Sequence, residues 1–178
     1  LPSSITTVMF PKINIENKSK KESVARYSRI SFLSVSVLAL GTLLFIKFPI
    51  GLLYGREFLP AVQPILLLLP GLIALSVSNV LGLYFLSTKY PFKLTISWFL
   101  ATILNALLNF IYIPQYGMVA AAVTSTISYL LVFGFHYYFF HKETKMGFYD
   151  ILVPRKEEIS SIIERIMKFL NKGIKNNT

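Results

Sequence analysis

The chain has 178 residues, of which 54% are hydrophobic and only 15% charged, with a net charge of +10. An average soluble domain carries roughly 25% charged residues; here the charge is gathered into three segments between long neutral runs, which excludes an ordinary water-soluble core. Cysteine is absent, which excludes disulfides, Cys-ligated zinc and thiol catalysis, and no nucleic-acid-binding motif accompanies the basic surplus, so no nucleic acid is expected as a partner.

The chain opens at Leu1 without Met or a signal peptide, and is expected to be the latter part of something longer. Residues 1–11 are apolar and hydroxyl-rich and stop at Pro11-Lys12, which reads as the last turns of a partial crossing. Lys12, Lys18, Lys20, Lys21, Arg26 and Arg29 then form a basic stretch expected to be a solvated loop. The first complete span is expected at 30–54, with Lys47 snorkelling toward the head groups and Gly51 and Gly55 permitting close helix approach.

Arg56-Glu57 marks a short polar turn before the next span, 64–88. Pro70-Gly71 falls inside that span, where proline removes a backbone donor and crowds the preceding turn, so a hinge or kink is expected there. Lys89, Pro91 and Lys93 form a basic turn, and from Leu94 to Phe140 there are 47 residues without Lys, Arg, Asp or Glu. A hydrocarbon core about 30 Å thick takes roughly 20 apolar residues per helical crossing. With the breaker Ile113-Pro114-Gln115-Tyr116-Gly117 near its middle, the run predicts a hairpin of two crossings, 92–112 and 117–140. Both should be helical, because a strand edge or loop in hydrocarbon leaves backbone groups unpaired.

The fold class expected is therefore an all-α membrane protein: four complete transmembrane helices, a partial one at the N-terminus and a charged tail over 142–178. In the tail, Ile159, Ile162, Ile163, Ile166, Phe169 and Leu170 recur at helical spacing opposite Glu158, Ser161, Glu164, Arg165 and Lys168. That pattern predicts an amphipathic helix over about 156–172, too charged to cross and suited to the membrane surface. Sixteen of the 18 Lys and Arg lie in Lys12–Arg29, Lys89–Lys93 and from Lys142 onward. Four crossings put these segments on one side, and the excess of positive charge names that side cytoplasmic, the C-terminus included.

Inside the spans only neutral polar residues remain. Thr102, Asn105 and Asn109 share one helix face with Trp98, and Ser76 and Asn79 make a shorter stripe on the preceding span. These groups suit either hydrogen bonds to sugar hydroxyls along a cavity or bonds between helices worth about 1 kcal/mol or less each. Gly117, Ala121, Ser125 and Ser128 or Tyr129 suggest a small-residue packing seam, and His136 reads as a packed or interfacial histidine. No paired carboxylates, nucleophile with a base or phosphate loop is visible, so no enzyme activity, metal or cofactor is expected.

Four pieces in order carry a resemblance: Val8-Met9-Phe10-Pro11-Lys12-Ile13; Tyr54-Gly55-Arg56-Glu57-Phe58-Leu59-Pro60-Ala61; Asn105 to Asn109 leading into Ile113-Pro114-Gln115-Tyr116-Gly117; and Ala120-Ala121-Ala122 with Thr124 and Ser128. Over residues 1–141 the chain resembles the C-terminal part of the polysaccharide (O-antigen and capsule repeat-unit) flippases of the multidrug/oligosaccharidyl-lipid/polysaccharide exporter superfamily. The resemblance implies a transporter of about 12 to 14 helices in two lobes that open alternately to either side. It implies a polyprenyl-diphosphate-linked oligosaccharide as substrate, membrane lipids and the N-terminal lobe as partners, and a site in the cytoplasmic membrane. Related exporters of drugs or of a peptidoglycan lipid precursor are the alternative, and a membrane polymerase or glycosyltransferase a third reading.

Overall fold

A computed structural model describes residues 20–88, 91–155, 158 and 160. It is 93% helical, with no strand among the described residues. The elements in order are α1 (Lys20–Phe45), α2 (Lys47–Leu53), a 3₁₀ turn (Arg56–Ala61), α3 (Val62–Ser87), α4 (Pro91–Thr144) and α5 (Phe148–Leu152). Among the described residues three helical stretches, Lys20–Phe45, Arg56–Ser87 and Pro91–Thr144, are long and apolar enough to cross a membrane.

Helix α1 starts well before the apolar run at Ile30, so the solvated loop expected through Arg29 is corrected over residues 20–29. The cause is a face of Ser23, Val24, Ala25, Ser28 and Ser31, all buried, which turns inward at helical spacing while Lys20, Lys21, Glu22 and Arg26 point out. The interruption between α1 and α2 is one residue, Ile46, itself in the right-handed helical region. Pro49 explains it, because proline cannot donate to the Phe45 carbonyl four residues back. Together α1 and α2 cover the 30–54 span.

Helix α3 packs against both α1 and α4 and forms the middle of the bundle. It runs through Pro70 as one helix. A non-helical residue interrupts α4 at Gly117 (φ 56°, ψ −135°), a conformation that L side chains rarely adopt. A straight 54-residue helix would be about 80 Å long. It is not straight: Thr124 bonds Asn109, and Lys93 pairs with Glu143, so the chain doubles back at Gly117 and the two arms lie antiparallel. Pro114 sits in the last turn of the first arm, ahead of the bend.

Cross-bundle contacts fix which ends lie together. Lys20 Nζ donates to the Ser87 carbonyl (3.3 Å), Lys93 pairs with Glu143, and Arg29 bonds Glu158. The start of α1, the end of α3 and both ends of α4 thus share one end of the bundle, the basic end, and Gly55 and Gly117 mark the other. Large apolar side chains are exposed along the flanks and far end, among them Leu44, Phe45, Phe48, Leu53, Phe99 and Phe110. The amphipathic helix expected over about 156–172 lies outside the described residues, save Glu158 and Ser160.

Candidate functional site

The small residues of α3 decide how closely its neighbours approach. At Gly71 an added Cβ would stand 2.8 Å from Thr126 Cα and 3.1 Å from the Tyr129 ring; at Gly82 it would meet Leu94 at 2.9 Å and the His136 ring at 3.7 Å. Glycine admits the second arm of α4 at Gly71, and at Gly82 it makes room for Leu94 of the first arm beside His136 of the second. By contrast, among the described residues nothing lies within 4 Å of a Cβ at Gly51 or Gly55, and no close approach is made there. Gly55 serves the turn instead, with φ 88°.

Thr126 Oγ1 donates to the Leu67 carbonyl (2.7 Å), next to Leu66, whose usual donor Pro70 has removed. Lower down, His136 is 1% exposed and its Nδ1 lies 2.9 Å from the Ser78 carbonyl. A carbonyl only accepts, so Nδ1 carries the proton, and Nε2 is left buried without a partner. The buried column on this arm is Ala120, Thr124, Ser128, Val132 and His136. Of the seam expected through Gly117, Ala121, Ser125 and Ser128 or Tyr129, Ser128 is buried, Ala121, Ser125 and Tyr129 are half-buried and Gly117 is exposed.

The stripe Thr102, Asn105 and Asn109 lies on the first arm of α4. Asn109 Nδ2 donates to Asn105 Oδ1 (2.9 Å), and Thr124 Oγ1 donates across the hairpin to Asn109 Oδ1 or to its own Ala121 carbonyl. Asn109 is therefore tied into the hairpin, Asn105 is half-buried, and Thr102 is exposed. Ser76 is not in this group. It is 1% exposed in the α1–α3 interface, where its hydroxyl donates to Ile73 and its carbonyl accepts from Ser31. Asn79 is half-buried on the same helix. The structure joins Asn105 and Asn109 to each other and, through Asn109, to Thr124; Ser76 lies in the α1–α3 interface, and among the described residues no hydrogen bond links Asn79 or Thr102 to this group.

No family model, curated protein or solved structure matches the chain.

At the basic end lies a cluster that charge counting places in solvent. Arg29 is 4% exposed and Glu158 5%. Arg29 Nε lies 2.8 and 3.1 Å from the two Glu158 oxygens, Nη2 pairs with the same carboxylate, and Nη1 donates to the Asp150 carbonyl. Glu158 had been expected on the polar face of a surface helix, and its burial corrects that. Burial alone would raise its pKa; the Arg29 hydrogen bonds, the Arg155 amide and the nearby Arg29 and Arg26 charges outweigh this and hold it below the ordinary carboxylate value. The periodicity of Val24, Ala25, Ser28 and Ser31 was the signal that Arg29 sits on a packed helix.

Chemically the molecule offers neutral amides and hydroxyls in its apolar stretch and charge only at its ends. Among the described residues no group of three or more His, Asp or Glu is placed to hold a metal ion.

Proposed function

We propose that this chain is a lobe of a membrane flippase that carries polyprenyl-diphosphate-linked oligosaccharide repeat units across the cytoplasmic membrane for polysaccharide assembly. On this reading the bundle crosses the bilayer four times, through α1–α2, α3 and the two arms of α4. The basic end faces the cytoplasm, in keeping with the concentration of Lys and Arg there. Tyr54, Phe58, Tyr112 and Tyr116 ring the far end, as aromatic side chains do at a membrane interface.

The observation that carries the proposal is the partly open amide track Asn105–Asn109, with Thr102 beside it, on a hairpin arm that otherwise exposes Leu, Ile and Phe. A glycan head group rich in hydroxyls cannot enter hydrocarbon without replacement hydrogen bonds. Neutral amides supply them without the cost of burying a charge, and an alternating opening between two lobes would let the lipid tail stay in the bilayer. The diphosphate needs cations, which the spans here do not offer, so they belong to the other lobe. Pro70 and Gly71, where α3 lacks a backbone donor and touches Thr126, are the hinge candidates.

Disruption of the gene tests this. Lipid-linked sugar should accumulate on the inner leaflet while the surface polysaccharide is lost. Sugar that reaches the outer leaflet normally but stays unlinked would assign the chain to polymerisation instead.

A further inference from the structure

The basic end of the bundle is closed by a strap. After Thr144 the chain turns at Lys145 (φ 61°) and runs back beneath the helices instead of leaving them. Ile151 is fully buried in a cluster with Val24 and Ala25 of α1, Val77, Leu81 and Phe85 of α3, and Phe140 of α4. Phe148 stacks edge-on against Tyr137 at 5.6 Å. The strap thus reaches from the end of α4, past the end of α3, to the start of α1, where Arg29 grips both the Asp150 carbonyl and the Glu158 carboxylate.

The two ends of this grip are prepared separately. On the strap, Glu158 Oε2 accepts the Arg155 N–H (3.0 Å) and the Glu158 N–H donates to the Arg155 carbonyl (2.9 Å), so Arg155 holds the carboxylate in place. On α1, Arg29 is held on a helix whose neighbouring turns are buried. A buried carboxylate without its cation is strongly disfavoured, and a buried guanidinium without its anion equally so. The contact therefore has two states: pair made and strap seated, or pair broken and both charges in water.

The geometry points to a latch: the segment from Lys145 to Arg155, locked by Arg29 and Glu158, holds the basic end of the bundle shut and must release before the start of α1 can part from the rest of the bundle there. It needs no assumption about cargo, and stands or falls apart from the flippase reading.

The test uses the full-length protein in its membrane, with one cysteine at Ser28. That hydroxyl is buried and makes no hydrogen bond, so the exchange of oxygen for sulfur breaks none. Reaction of Cys at this position with a water-soluble maleimide reports opening of the basic end. Glu158→Ala should speed it at least about tenfold, and Arg29→Ala with Glu158→Ala should be no faster than Glu158→Ala alone, because either change frees the same latch. Glu158→Gln, which keeps the shape and loses the charge, should fall between. A cysteine at Ala122, 3% exposed near the far end, should not change its rate. If Glu158→Ala and Glu158→Gln both leave the Ser28 position within about twofold, or if Ala122 accelerates in step, the latch is overturned.

Discussion

Gly71 of α3 lies so close to Thr126 of α4 that a Cβ at Gly71 would stand 2.8 Å from the Thr126 Cα. Real Cβ atoms do not approach a backbone carbon that closely, so the helices must separate to admit even one methyl group. The same place carries the Thr126 hydrogen bond to Leu67. Packing and backbone satisfaction are coupled here, because the hydroxyl reaches the carbonyl only while the glycine lets it.

Gly71→Ala should therefore destabilise the bundle by about 1–3 kcal/mol, the usual cost of overpacking. Gly134→Ala, where nothing lies within 4 Å of the added Cβ, should cost nothing and gain a little helix propensity. Thermal unfolding of the two variants in detergent checks the contrast; equal midpoints would mean that α3 and α4 are not in contact at Gly71.

The tie between Asn109 and Thr124 is expected to behave as one interaction. In a double-mutant cycle, Asn109→Ala and Thr124→Ala should show a coupling of about 0.6 kcal/mol, and at most about 1.7 kcal/mol, the range found for such bonds in membranes. Thr102→Ala, on the exposed side of the same arm, should leave stability unchanged and lower transport alone. Loss of stability at Thr102 would move it from the substrate track into the packing.

The Glu158–Arg29 pair fixes a pH dependence. The folded-state pKa of Glu158 lies below its unfolded value, so the pair contributes its stability fully above about pH 5 and loses it as the pH falls through the lower folded value. Facing the carboxylate are Arg29, the Arg155 amide and the Arg26 charge. A spin label at Val153, which is 52% exposed on the strap, should show constant mobility from about pH 8 to about pH 5 and a rise below about pH 4. Glu158→Gln should abolish the step. A rise between about pH 7 and about pH 5 would contradict the assignment.

Much of this architecture was legible from charge. The neutral run from Leu94 to Phe140 is long enough for two arms, and Gly117 supplies the reversal between them, as its positive φ shows. What charge hid was the start of α1. Six cations suggested solvent, whereas the inward face of Val24, Ala25 and Ser28 decides the matter, and Arg29 can be buried only because Glu158 arrives from 129 residues away. No local pattern encodes a pairing at that separation. The packed face of α4's second arm was equally hidden, since Ala121 and Ser125 are as small as Ala120 and Ser128 and only tertiary contacts such as the Thr124 bond to Asn109 distinguish them. In the amide stripe, spacing put Asn105 and Asn109 together correctly; it could not show that Thr124 from the other arm would occupy part of their bonding capacity.

The central claim, four crossings with the basic end inside, is tested most directly by thiol labelling in sealed cells. Because this chain has no cysteine of its own, single replacements at Lys20, Gln115 and Lys145, all exposed, report their own side. The account predicts that a membrane-impermeant maleimide labels Gln115→Cys alone and reaches Lys20→Cys and Lys145→Cys only after the cells are opened. Labelling of Lys20→Cys in intact cells would contradict it.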